Sequence, residues 1–191
     1  MKATQQLKDE HEGVKIMLNI LEQVCRQLEE VGSLNKEHFE GILGFLKGFV
    51  DKCHHGKEEE LLFPALVNAG VPKEGPIRIM LHEHEKGRNY IKDMSAAFAG
   101  YTRGDKSSSK DIVKNTEGYI SLLRDHIERE NNVLFVMADS RLSEKIQDEL
   151  FEGFEKIEEE RIGVGKHEEF HHLLEKLSGI YLKQIGGHDG V

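Results

Sequence analysis

Residues 54–66 read HHGKEEELLFPAL and residues 126–138 read HIERENNVLFVMA. Both contain His-x-x-x-Glu (His54 with Glu58, His126 with Glu130), and both continue with Leu-Phe at the eighth and ninth positions after the histidine. Four-residue spacing stacks two side chains on one face of an α-helix, so each pair presents an imidazole and a carboxylate to the same neighbour. Upstream of each pair stands a further matched stretch, DEHEG around His11 and HEHEK around His84. The two offsets differ by a single residue, and a duplicated helical hairpin is the simplest account.

Outward from these stretches the apolar residues recur at helical intervals. Leu18, Leu21, Val24, Cys25 and Leu28 form one stripe, and Phe39, Ile42, Phe45, Leu46 and Phe49 form another. Strand-like alternation is absent, so the class is all-α. The breaks at Gly32-Ser33, at Gly70 to Gly75 and at GYTRGDKSSS (residues 100–109) predict helices over about 4–31, 35–69, 76–99 and 110–139. Pro64 marks an expected kink in the second and Pro76 a first-turn residue in the third. Two more amphipathic stretches follow, about 141–162 and 165–184. The expected architecture is an up-down-up-down four-helix bundle over residues 1–140, with additional C-terminal helices over 141–185 packed on it. The tail, 186–191, is expected to be flexible.

Loop positions test whether the histidines share one site. In an antiparallel hairpin, residues at the same height are equidistant from the turn. The midpoint between His11 and His54 falls on Gly32-Ser33, that between Glu58 and His84 on Val71, and that between His84 and His126 on Asp105. All three lie in predicted breaks. His11, His54, Glu58, His84, His126 and Glu130 therefore fall at one level of the bundle, a donor set suited to iron, manganese or zinc. Buried together without a metal, these groups would be costly.

The combined pattern, His11, His54-x-x-x-Glu58, His84 and His126-x-x-x-Glu130, resembles the hemerythrin-like, or HHE cation-binding, family over about residues 5–140. The resemblance implies a non-haem di-iron site, oxo- or hydroxo-bridged, with Glu58 and Glu130 spanning the irons and two histidines on each. Oxygen-carrying hemerythrin has a further histidine where Met80 stands, and an Asp five residues after the last motif histidine, where this chain has Glu130 at four. Counting ligands leaves both irons open unless His55 or His82 joins them. His82 is two residues from His84 and so on another face.

Composition narrows the functional classes. The 191 residues are 38% hydrophobic and 32% charged with a net charge of −9, which argues against nucleic-acid binding. No run reaches the roughly 20 apolar residues of a membrane span, and the N-terminus lacks a signal-peptide core, so a cytoplasmic location is the expectation. Cys25 and Cys53 read as buried thiols. The charge runs Lys57–Glu60 and Glu158–Arg161 read as mostly solvated faces, with Glu58 the exception and Glu59 a surface group or a support for the site. His167-Glu168-Glu169-Phe170-His171 matches the H-E-x-x-H of zinc proteases, but no third ligand follows at a suitable distance. It reads as an amphipathic helix seated by Phe170, Leu173, Leu174 and Leu177, with His167, His171 and His172 unassigned. The functional expectation is a protein that binds, senses or reacts with oxygen, nitric oxide or peroxide. The alternatives are iron handling for iron–sulfur repair and a metal-dependent regulatory module that docks a protein partner or a second copy.

Overall fold

The computed structural model describes residues 2–182, so the tail predicted at 186–191 lies outside the described residues. The chain is an all-α helical bundle with two helices added at its C-terminal end. Helix α1 (Ala3–Val31) ends where Gly32 turns left-handed, φ 72°, and donates its N–H to Leu28 O at 3.0 Å. Asn35 then caps α2 (Lys36–Phe45) by accepting from the His38 N–H at 3.1 Å.

Beyond α2 the helix does not stop. It widens into π-type turns over Leu46–His55 and Glu58–Leu62 before tightening again as α3 (Phe63–Asn68). Pro64, predicted as a kink, stands in the first turn of α3, where the chain leaves the wide turns and where a missing N–H is tolerated best. A further π-type turn, Lys73–Ile77, leads into α4 (Arg78–Thr102). Helix α5 (Ser108–Arg129) passes through another, Glu130–Leu134, into α6 (Phe135–Arg141). Ser143 caps α7 (Glu144–Arg161), and α8 (Lys166–Tyr181) follows two glycines of positive φ, Gly163 and Gly165.

Contacts between α4 and α5 step in opposite senses. Gly100 lies against Ser108, Gly118 against Tyr90, and His84 meets His126, so these two helices run antiparallel. The apolar interior is divided. One cluster gathers Val14 to Leu28 of α1 with Phe39 to Val50, Ile91 to Ala97 and Ile112 to Ile127. The other gathers Ala3 and Leu7 with Leu62 to Leu66, Ile77, Met80 and Leu134 to Ala138. Between the two lies a buried polar layer.

Helices α7 and α8 close one side. Phe170 of α8 sits over Phe45 at 5.6 Å between ring centres, and Leu174 and Leu177 are buried. Close approach depends on Gly48, where a Cβ would meet the Phe170 ring at 2.7 Å. Among the described residues no helix is long and apolar enough to cross a membrane.

Candidate metal centre

The polar layer is built from the four helical segments of the bundle. His11 comes from α1, His54 and Glu58 from the wide turns after α2, His84 from α4, His126 from α5, and Glu130 from the wide turn after α5. Each is no more than 2% exposed. The six residues singled out by spacing are thus brought together in one place.

Every one of the four histidines uses its two nitrogens in the same way. Nδ1 of His54 lies 2.7 Å from Glu10 Oε2, Nδ1 of His84 lies 2.7 Å from Glu59 Oε1, Nδ1 of His126 lies 2.9 Å from Glu83 Oε2, and Nδ1 of His11 lies 2.9 Å from Asn131 Oδ1. A carboxylate or amide oxygen can only accept, so in each ring Nδ1–H donates and Nε2 is the nitrogen turned toward the centre. Those Nε2 atoms surround two carboxylates. His11 and His126 stand 3.3 and 3.2 Å from Glu130 Oε2, His84 3.4 Å from Glu58 Oε2, and His54 3.7 Å from Glu58 Oε1. The Nε2 atoms of His84 and His126 face one another at 3.2 Å.

The supporting bonds repeat with the duplication. Glu10 and Glu83, each immediately before a lone histidine, both reach across to the histidine of the next helix. Glu59 and Asn131, each immediately after a paired glutamate, serve the lone histidine of the other half. Phe63 and Phe135 hold equivalent positions as well, stacking on His84 at 5.8 Å and on His11 at 5.5 Å.

His55 has no such counterpart, since Ile127 takes the matching place. The ring of His55 is 3% exposed, stacks on His84 at 3.8 Å and 11°, and has no hydrogen-bond partner for either nitrogen. In an ideal α-helix consecutive residues diverge by about 100°. The π-type turns ending at His55 widen the helix there, as such bulges commonly do at functional sites, and both neighbours enter the centre. His55 thus faces inward beside the four histidines, the position that the sequence left open between His55 and His82. His82 is exposed and takes no part, and Met80 is buried in the apolar cluster beneath.

These groups form two sets whose donor atoms lie within 4.8 Å of one another. One is His11, His54, Glu58 and Glu130; the other is His55, Glu58, His84 and His126. Glu58 belongs to both. Eight buried atoms here have no hydrogen-bond partner: Nε2 of His11 and His54, both nitrogens of His55, and all four oxygens of Glu58 and Glu130. Such atoms are costly to bury unless something binds them. Imidazole nitrogens and carboxylate oxygens converging in this way are the donor set of a cation site, so the residues present fit metal ions.

The electrostatics agree. Burial opposes charge on His84 and His11, yet the carboxylates of Glu130, Glu58 and Glu59 hold His84 well above the ordinary imidazole value, and Glu130 and Glu58 raise His11. Burial also opposes charge on Glu130, but His126 and His11 hold it well below the usual carboxylate range. Burial and the surrounding histidines push His55 the other way, well below its ordinary value. In the metal-free chain, protons on His11 and His84 take the place a metal would claim.

The solvated-face reading fails at Lys57, while Glu159, Glu160 and Arg161 are exposed as read. Lys57 is fully buried, donating to Glu10 at 2.5 Å and to Glu158 at 3.0 Å, and Glu158 also accepts from His167. Glu10 is held down to about 2: burial pushes it up, but the His54 hydrogen bond, the His54 charge and Lys57 outweigh that. Glu60 is exposed and pairs with Arg161, as a solvated face would. Spacing alone missed Glu10, Glu83 and Asn131. The signal was present in DEHEG and HEHEK, where an acid precedes each lone histidine.

Among the described residues, His167 and His171 belong to no group able to hold a metal. Their rings stack at 4.7 Å, and His172 is exposed. Cys25 and Cys53 are buried free thiols, raised by burial to about 11 and about 12.

Residues 2–138 match the family described as hemerythrin HHE cation binding domain. The chain is also similar to uncharacterised proteins of Mycobacterium bovis (Mb2018) and Mycobacterium tuberculosis (Rv1995), 25% identical to each over 188 residues, covering 98% of this chain and 71% of theirs. No solved structure matches it. The chain belongs to the hemerythrin HHE cation-binding family.

Proposed function

We propose that this chain holds two iron ions, one at His11, His54, Glu58 and Glu130 and one at His55, Glu58, His84 and His126, and that the centre binds or reacts with a small molecule of the size of oxygen, nitric oxide or peroxide. The observation that carries the reading is the convergence of four inward-turned Nε2 atoms on two buried carboxylates that have no hydrogen-bond partner. Iron bound there would supply a change of oxidation state and a position for a small ligand. Residues 1–140 then form the metal-binding bundle and 141–185 an accessory to it.

The protein's own contribution is orientation and exclusion. Glu10, Glu59, Glu83 and Asn131 each fix one imidazole through Nδ1, which aims Nε2 and raises its basicity. Phe63 and Phe135 cover the centre on its apolar side. Its donor residues are at most 3% exposed, and the larger clefts on the surface, such as that between Cys25 and Arg124, are lined by other residues. A diatomic molecule or peroxide suits so closed a place better than any larger substrate.

The deciding measurement is metal analysis of protein purified without added metal. Two irons per chain, with a visible absorption bleached by dithionite, is the expected result. One zinc per chain would sink the reading, and two manganese ions would keep the site but change its chemistry. Rapid transfer of iron to a weak chelator would favour the alternative, a protein that hands iron on, including to damaged iron–sulfur centres. The link from Glu158 to the centre supports a third reading, a module whose metal state governs docking of a protein partner or second copy. It differs from the first by a change in α8 when metal is removed.

A further inference from the structure

Each half of the duplication places a cation three residues beyond its paired histidine: Lys57 after His54 and Arg129 after His126. Both do the same work. Lys57 Nζ donates to Glu10 Oε1 at 2.5 Å while Glu10 Oε2 accepts from His54 Nδ1 at 2.7 Å. Arg129 Nη2 donates to Glu83 Oε1 at 2.5 Å while Glu83 Oε2 accepts from His126 Nδ1 at 2.9 Å. Each carboxylate is held at one oxygen by a cation and uses the other to fix a ring.

The two relays differ in what lies outside them. The Arg129 side chain is 42% exposed, whereas that of Lys57 is wholly buried. The cover is α7. Glu158 accepts from Lys57 Nζ at 3.0 Å, the Phe154 ring lies 6.0 Å from it, and Ile157 packs at Gly56. The second oxygen of Glu158 accepts from His167, the first residue of H-E-x-x-H on α8. Burying an ammonium costs several kcal/mol unless carboxylates surround it, and here two do, one from α1 and one from α7. An element outside the duplication is thus fastened to one of the two relays.

We propose that Lys57 is a positioning residue for the ion of His11 and His54, and that the α7–α8 hairpin, through Glu158, makes that ion unequal to the one at His55, His84 and His126. The inference rests on the two-ion reading above. Buried away from solvent, Lys57 is held by Glu10 and Glu158, so Glu10 stays fixed as the acceptor of His54. Arg129 exchanges its contact with solvent, and Glu83 is held less firmly. The first ion is the slower of the two to leave, and seating of the hairpin is read out at that ion.

The test uses the full chain loaded with two ferrous ions without oxygen, and follows their release to a ferrous chelator. Wild type should release in two phases. Lys57→Met and Glu158→Gln should each speed the slow phase, Lys57→Met on the order of tenfold, and leave the fast phase within about twofold. Arg129→Met should speed only the fast phase, the same one that His55→Leu speeds. The proposal is overturned if Lys57→Met and Arg129→Met act on the same phase, if both phases move in step, or if neither moves. Glu158→Gln keeps the side-chain shape and decides the matter should Lys57→Met fail to fold, which circular dichroism will reveal. Wild-type chain that takes up fewer than two ions overturns the two-ion reading and this inference with it. Two ions released with unselective variants overturn the inference alone.

Discussion

At the scale of single residues, the centre was legible where ligation follows helical spacing and illegible where it does not. His11, His54, Glu58, His84, His126 and Glu130 could be found because a four-residue step and the loop positions suffice to set them at one level. His55 could be named only as an alternative to His82, because an α-helix turns it away from His54, and the wide turns that bring it back belong to the tertiary structure. Lys57 was misread for a similar reason. It stands in a run of charges, and nothing within that run announces that α7 will cover it. The two unpartnered nitrogens of His55 lead to a prediction of opposite signs. His55→Leu should leave the metal-free protein as stable or more so, by about 1 kcal/mol, since an unsatisfied buried polar group is replaced by an apolar one. The same substitution should lower occupancy of the second ion. Denaturation of the chelated variant and metal analysis of the loaded one check the two halves; parallel losses in both would refute the assignment.

At the scale of elements, the amphipathic periods gave α1, α4, α7 and α8 to within a few residues, and α5, its wide turn and α6 as one helix, because local signals such as Gly32 and Ser143 fix where helices begin and end. The wide turns were not legible, since hydrophobic spacing does not distinguish π-type from α-type bonding over so short a stretch. Two of them start at Glu58 and Glu130, the equivalent glutamates of the duplication. The H-E-x-x-H stretch behaves as an amphipathic helix, with Phe170 packed against Phe45 and Phe49. Its seat depends on Gly48. Gly48→Val forces its added atoms against the Phe170 ring and should destabilise the protein by about 1–3 kcal/mol, read as a lower melting temperature. Gly44, one turn earlier on the same helix, has open space beyond its Cα, and Gly44→Val should cost less. Equal effects at both positions would show that α8 is not held there.

At the scale of the whole molecule, the polar layer stands between two apolar clusters that do not otherwise merge. Eight buried atoms of that layer, on His11, His54, His55, Glu58 and Glu130, have no hydrogen-bond partner, so metal binding and folding draw on the same free energy. Removal of metal with a chelator should therefore lower the melting temperature, and re-addition of metal should restore it. An unchanged melt would mean that the layer is satisfied without ions. The division of the core has one more consequence. Metal ions held there would tie α1, α4, α5 and the segment after α2 across the layer, and the two clusters would then open only together. When they are absent, each cluster is a cooperative unit of its own, joined to the other by continuous helix and by hydrogen bonds that water can replace. A protease would then find its first cuts in the middle of the long helices, beside the empty layer, rather than at the chain ends. Metal supply would in this way set the lifetime of the protein.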